Sequence, residues 1–571
     1  MELIKKLRWQ LIIVFLGLLV IVGVLWNQRS EEPAVIESPE PTGGGVYAEG
    51  VVGSLIRLNP QLANFNPVDR DVTSLLFRGL IQFDSKGLPQ PDISNSWGIS
   101  RTGETYNFSL RDDVFWHDGV PLTSEDVVFT IELLQSEEFP TSPDRKEFWQ
   151  DIEVEALDDF TLQMRLPEAF APFLDYLEFG ILPAHLLGDL SPEEVVDADF
   201  NLQPVGSGPY QFNQLIIEDD EIKGVSLIKN PDYYGQKPFL EEVIFYYYSS
   251  DLEVWQAYLD GEIQGIGRIT SEFLDEALAE PELNTYTSRL PKMSLILFNL
   301  DNPEVPFFQE REIRQALILG LNRQWIIDNI YHGQAVVAQG PILPKTWAYF
   351  EDIKEYSYEP EQAVQILQEA GFTIPGDGGR VRRDAEENLL EFSLAYPDTA
   401  AHKQVAEAIQ KNWQSLGIGV QLVPLSYEEL IQEQLEPRVY QAALVDINFT
   451  RSPDPDPYPF WHQAQTTGGQ NYSMWDDRQA SEYLEQARIA LEIKERERMY
   501  KNFQVRFMDQ LPAIPLLYPM YTYGVSSQVN GVRIGPIFEP ADRLKTITDW
   551  YFFSEIPGGL ENTAEVPPAE E

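Results

Sequence analysis

Cysteine is absent from the chain, which excludes disulfides, zinc–thiolate sites, iron–sulfur clusters, a thiol nucleophile and a lipid-bearing N-terminal cysteine. Histidine is scarce. The five are His117, His185, His332, His402 and His462, and no two stand at i, i+4, so the sequence offers no histidine metal site and no cofactor motif accompanies them. Basic residues are few as well: 41 Lys and Arg against 91 Asp and Glu give a net charge of -50 over 571 residues. Such a surface repels phosphate backbones and anionic headgroups, which disfavours nucleic acid as a partner. No short repeat is present, and 43% apolar residues supply ample core material for two or three domains.

Long apolar runs are missing too, with one exception. Lys5, Lys6 and Arg8 precede the run Leu11–Trp26, broken only by Gly17 and Gly23. Its length suits a membrane helix, and the basic flank keeps the start cytoplasmic, which places the rest outside the membrane. No small-x-small cleavage pattern follows, so residues 1–29 are expected to be an uncleaved signal anchor; a cleaved signal peptide is the alternative. Residues 30–45 are rich in Glu, Pro and Gly and are expected to be a tether. Residues 556–571 are expected to be a disordered acidic tail.

Between these ends the periodicities predict an α/β body. Strands are expected at 106–110, 210–215, 225–229, 243–248 and 295–299. Thr123 caps a helix, with Asp126 placed to complete a capping box. Helices are expected over 311–321, 323–331 and 361–370, the last stopped by Gly371. Val405, Ile409, Trp413 and Leu416 mark an amphipathic helix that Gly417 ends before a strand at 418–423.

One segment gathers groups able to bind a ligand. After an apolar strand at 442–445 come Asp446, Phe449, Arg451, Asp454, Asp456, Tyr458, Trp461 and His462, with prolines at 453, 455, 457 and 459. Alternating prolines are expected to forbid a helix and hold the chain extended. Carboxylates against aromatic walls suit a primary ammonium on an apolar body, such as a peptide N-terminus. The alternative is a Pro-rich surface turn with solvated aspartates. Trp116-His117-Asp118-Gly119 reads as a structural corner before the Thr123 cap, not a catalytic pair. Gly206-Ser-Gly-Pro-Tyr210 is not a phosphate loop, because no Gly-Lys-Ser/Thr follows. Carboxylates are so abundant that any glycosidase-like pair is uninformative.

Taken in order, Arg78-Gly-Leu80, Gly103–Arg111, Val114–Phe129, Pro204–Tyr210, Asn230–Tyr234, Arg314–Leu317 with Asn322-Arg323, Gly340–Pro344, Asp454–Tyr458 with Trp461-His462, and Leu511–Leu516 resemble the family 5 extracellular solute-binding proteins of ABC importers, the oligopeptide- and dipeptide-binding class. The resemblance spans about 59–553. It implies an α/β, two-lobed fold of the type II periplasmic-binding-protein kind with an extra domain. By that analogy lobe I comprises 46–83, 203–295 and 518–555, the inserted domain 84–202, and lobe II 296–517.

The resemblance further implies a binding protein and not an enzyme. Its lobes close around a short peptide and deliver it to the permease of an ABC transporter. An oligosaccharide or a metal chelate is the alternative solute. The expected ligand-binding residues are Asp454, Asp446, Asp456, Trp461, Tyr458 and Phe449. Asp454 is favoured and Asp446 second for the ammonium. Arg323, Arg438 and Arg451 are candidates for a ligand carboxylate, with Arg323 the more structural of them.

Overall fold

The computed structural model describes residues 43–450 and 453–553. The apolar run Leu11–Trp26, most of the expected tether, Arg451 and the tail after 556 lie outside the described residues. Among the described residues no helix is long and apolar enough to cross a membrane.

A 12-stranded hydrogen-bonded sheet organises the body. Its path runs Gly419–Leu425, Glu391–Pro397, Ala442–Asn448, Lys292–Phe298, Ala513–Ser526, Gly265–Ile266, Val46–Val52, Glu242–Tyr248, Glu221–Lys229 and Tyr210–Glu218. Two further strands, Leu283–Arg289 and Ala335–Val337, pair with Ala513–Ser526 off this path. The strands expected from sequence all appear, most of them longer than their apolar cores, because pairing extends them.

Ala513–Ser526 serves both lobes. Ala513 to Leu517 pair with Lys292–Phe298, whereas Met520 to Ser526 pair with Leu283–Arg289. The chain therefore passes between the lobes at Leu290–Pro291 and again at Pro519–Met520. Leu290 donates its N–H to Pro519 O at 2.8 Å. Arg323, on the helix Arg323–Asn329, donates to Ala338 O (2.7 Å) and Pro515 O (2.9 Å) and so pins the second-lobe end of this strand.

A separate four-stranded antiparallel sheet, ordered Ser94–Ile99, Thr105–Leu110, Thr161–Arg165 and Glu153–Asp158, lies within 84–202, the stretch expected to be inserted. The expected capping box at Thr123 is formed: Asp126 Oδ2 accepts from Thr123 N at 2.9 Å. The motif at 116–119, between two of these strands, meets the glycine motif at 206–210 that follows the region. His117 N–H donates to Gly206 O (2.8 Å), His117 Nδ1 accepts from Gly206 N (3.1 Å), and Nε2–H donates to Gly208 O (3.1 Å). A Cβ on Gly206 would lie 1.9 Å from Leu76 O, and one on Gly208 2.2 Å from Leu75 O. Only glycine permits this approach. Burial pushes His117 down to about 4, so it remains a neutral clamp near pH 7.

In the second lobe, the helix Ala400–Ser415 buries Val405, Ile409 and Trp413 against the sheet, and Trp413 Nε1 donates to Leu317 O at 2.9 Å. Gly417 adopts φ 83° and lets the chain reverse into Gly419–Leu425.

An ion triad locks the C-terminal segment onto the first lobe. Arg543, 1% exposed, reaches Glu49 Oε1 from Nε (3.0 Å) and both Asp71 oxygens from Nη1 and Nη2 (2.7 Å each). Removing one partner of a buried triad leaves uncompensated charge. Arg543→Ala is therefore expected to cost about 3–5 kcal/mol in equilibrium urea denaturation. A loss under about 1 kcal/mol would show the triad to be energetically neutral.

Candidate functional site

A cavity of about 340 Å3 lies against the crossing strands, walled by 287–290 and 534–538 from the first lobe and by Val336 and 343–346 from the second. The second lobe meets the turn at 84–87 beside it. Trp347 N–H donates to Lys86 O at 2.9 Å, and Gly87 packs on Pro453. A larger cavity of about 590 Å3 lies between the first lobe, at the helix Pro67–Leu76 and 533–548, and the 84–202 stretch, at Asp84, Asp92, Arg111 and Glu178. Its charged side chains are consumed by one another, as in Arg78–Asp92 (2.7 Å) and Lys545–Asp542 (3.1 Å). No second-lobe residue lines it, so a solute there would not report lobe closure.

Asp446 lies next to the crossing, on Ala442–Asn448. Its carboxylate accepts from Ser294 Oγ (2.5 Å) and His402 Nε2 (3.2 Å) and pairs with Lys292 Nζ (2.6 Å). Burial alone would push Asp446 up, but the His402 bond and the Lys292 charge outweigh it and hold the carboxyl at about 2. Lys292 remains partly exposed, so this ionic cluster opens toward solvent.

Among the described residues, the strand carrying Asp446 has a neighbour on both sides only at its start. Lys292–Phe298 flanks it along its length, while pairing with Glu391–Pro397 stops at Ala443. Phe449 N–H donates to Pro291 O (2.7 Å) and Asn299 N–H to Gln441 O (3.0 Å). These bonds set the alternation of an antiparallel pair: odd-numbered residues bond to Lys292–Phe298. The main-chain groups of Asp446 and Asn448 therefore face the open edge.

The Pro-rich segment is neither a solvated turn nor a free pocket. Asp454, 5% exposed, pairs with Arg496 and accepts from Tyr500 Oη (3.2 Å). Its N–H donates to Asp175 Oδ2 at 2.5 Å, across to the inserted stretch. Asp456 pairs with Arg488 at 2.7 Å, and that guanidinium lies over the rings of Tyr458 (3.8 Å) and Phe170 (5.3 Å). The expectation of an extended chain through Pro459 needs correction: Tyr458–Trp461 forms one helical turn. Proline is tolerated in a first turn, where its missing N–H has no helical partner. Trp461 is 2% exposed, packed edge-on against Phe507, and Phe449 is buried against Phe460.

Of the six expected residues, Asp454, Asp456 and Tyr458 meet at this contact, Asp446 stands apart with Lys292, and Trp461 and Phe449 pack into the second-lobe core. Arg323 is spent on carbonyls, Arg438 reaches Gly469 O, and Arg451 lies outside the described residues. Sequence reasoning missed Lys292, His402, Asp175, Arg488, Arg496 and Arg289. They come from separate elements, and no spacing marks them. Among the described residues no group of three or more His, Asp or Glu is placed to hold a metal ion.

The family model described as bacterial extracellular solute-binding proteins, family 5 Middle, matches residues 89–470. The chain is similar to the dipeptide-binding protein of Escherichia coli K12, 26% identical over 509 residues, covering 85% of this chain and 91% of the relative. It is also similar to the oligopeptide-binding protein AppA of Bacillus subtilis, 24% identical over 534 residues, covering 92% and 95%. The solved structure of that AppA with a nonapeptide superposes with a TM-score of 0.64 at 23% identity, covering 90% of this chain and 100% of AppA; it supports the fold.

The contact between Asp175 and the Pro-rich segment yields a pH test. Burial, then the charge of Asp454, push the Asp175 carboxyl well above the ordinary range, and among the described residues it has no ion pair. A carboxyl raised in the folded state favours folding below its unfolded pKa, and that contribution fades as pH rises toward the folded value. Asp175→Asn keeps an oxygen for Asp454 N–H and removes the ionisation. It is expected to raise the melting temperature at pH 7, with the gain shrinking toward pH 4. A lower melting temperature at pH 7 would refute the argument.

Proposed function

Because the chain belongs to the bacterial extracellular solute-binding proteins of family 5, we propose that it captures short peptides between its lobes and delivers them to the permease of an ABC transporter. Membership also sets it among binding proteins and not enzymes. The relatives' peptide-binding names support the solute class. The observation that carries the reading is the open edge of Ala442–Asn448 beside the crossing strands. An extended peptide can add there as a strand, bonding to the main chain of Asp446 and Asn448, while side chains remain free to vary. That is how one site accepts many sequences.

Asp446 is the proposed partner of the peptide ammonium. An ammonium at Asp454 would have to displace the buried Arg496, whereas Asp446 neighbours a partly exposed lysine. Sugar stacking finds less support, because Trp461 and Phe449 are buried. The proposed domain division takes 46–83, 203–290 and 520–555 as lobe I, 84–202 as the insertion and 291–519 as lobe II, which moves the expected boundaries at 295 and 517 to the two crossings. The apolar run at the N-terminus supports anchoring of this extracytoplasmic body to the membrane.

Titration calorimetry with a tripeptide tests the reading. Saturable binding is expected, with the peptide recovered intact by mass spectrometry after long incubation. N-methylation of the central peptide nitrogen, which removes a strand donor, is expected to weaken binding about tenfold, as is Asp446→Asn for a free-amine peptide. Cleaved peptide, or equal affinity of methylated and unmethylated forms, would sink this account.

A further inference from the structure

We propose that the hinge cavity is a carboxylate site, in which Arg289 takes an acidic group of the bound solute with Lys345 at the mouth. The proposal rests on the peptide reading above and deepens it by assigning the solute's carboxylate. Three observations on the cavity wall carry it.

The first is composition. Asp and Glu make up 91 of 571 residues, yet none is among the fifteen residues that wall this cavity, where two are basic. In a molecule of net charge -50 an anion is repelled from most of the surface. A wall free of carboxylates and carrying cations is the local exception.

The second is the state of Arg289. The deeply buried arginines are matched. Arg543 has Glu49 and Asp71, Arg496 has Asp454, and Arg314 and Arg323 are caged by carbonyls. Arg289, half-buried at the end of Leu283–Arg289, donates from Nη2 to Pro344 O at 3.1 Å. Among the described residues no other hydrogen bond and no ion pair is made by its guanidinium. Such a group carries five N–H donors in a planar fork that matches a carboxylate bidentately. Burial pushes its pKa down without a carboxylate to oppose it, so an incoming anion would relieve an existing cost.

The third is position. Arg289 precedes the Leu290–Pro291 crossing, and the carbonyl it reaches belongs to the second lobe. Lys345, from the same second-lobe loop, holds the left-handed backbone at φ 68°, a strained conformation for a side-chain-bearing residue that recurs at functional sites. It is exposed and makes no ion pair among the described residues. The hydroxyls nearby are committed: Ser288 Oγ donates to Gly535 O (2.8 Å) and Thr346 Oγ1 to Leu343 O (2.7 Å). Among the lining side chains the two cations are the donors left for a solute, and one comes from each lobe. A carboxylate held between them rewards the closed arrangement.

Calorimetry on the full chain with trialanine, trialaninamide and the C-terminal amide of alanyl-glutamyl-alanine tests the assignment. The wild type is expected to bind at least one carboxylate-bearing peptide about tenfold or more tighter than trialaninamide. Whichever of the two gains tells a terminal carboxylate from a side-chain one. Arg289→Met is expected to abolish that gain and leave trialaninamide affinity within about twofold of wild type. Arg289→Lys, which keeps charge without the fork, is expected to retain only part of the gain. Equal affinity of all three peptides for the wild type, or an equal loss for all three in Arg289→Met, overturns the proposal. If no peptide binds the wild type, the peptide reading fails by itself. Succinate then decides the carboxylate site: it must raise the melting temperature of the wild type and not of Arg289→Met, and failure of that difference overturns it.

Discussion

Everything else in this molecule depends on one strand that belongs to two lobes. Ala513–Ser526 completes the second-lobe sheet with its first half and the first-lobe sheet with its second. The lobes are therefore held by main-chain continuity as well as by side-chain packing. Both crossings carry proline, Pro291 and Pro519, which has no N–H to give to a ladder. What remains between the crossing segments is the bond from Leu290 N–H to Pro519 O. Sheet pairing is strong on either side and thin at the junction, a distribution suited to bending there.

The electrostatics follow a related economy. With 41 basic residues against 91 acidic ones, the chain places arginines where a charge must be neutralised indoors. Arg543 joins the first strand, the first helix of the body and the C-terminal segment. Arg488 and Arg496 neutralise the aspartates of the Pro-rich segment where it meets the inserted stretch. Each of these guanidiniums bridges elements remote in sequence, and its planar fork satisfies more than one acceptor at once. Lys292 does the same for Asp446 next to the crossing, where a depressed carboxyl remains charged through any ordinary pH.

Much of the fold was legible in local signals. Thr123 with Asp126, the stripe from Val405 to Leu416, Gly371 and Gly417 each act within one or two turns of chain, and the structure uses them as their spacing implies. The Pro-rich segment was legible only in part. Alternating prolines fix φ only at their own positions: Asp456, between two of them, takes φ 21°, and a helical turn accepts proline at its start, so Tyr458–Trp461 coils. Nor could spacing say whether Asp454 meets solvent or Arg496. Ion pairing is decided by which side chains arrive from elsewhere, and 42 residues separate these two.

The sequence by itself determined that the chain is an α/β protein without thiol or histidine-metal chemistry, and its ordered motifs pointed to a two-lobed solute-binding architecture. The first conclusion rests on composition and on short-range periodicity, which survive without knowledge of neighbours; the second rests on resemblance to a known family. Only the tertiary structure decided which carboxylates are spent, which strand edge stays open and which cavity-lining arginine keeps donors to spare. Those properties belong to pairs of residues brought together from distant segments, and the free energy of a charge is set by what surrounds it, not by what precedes it in the chain.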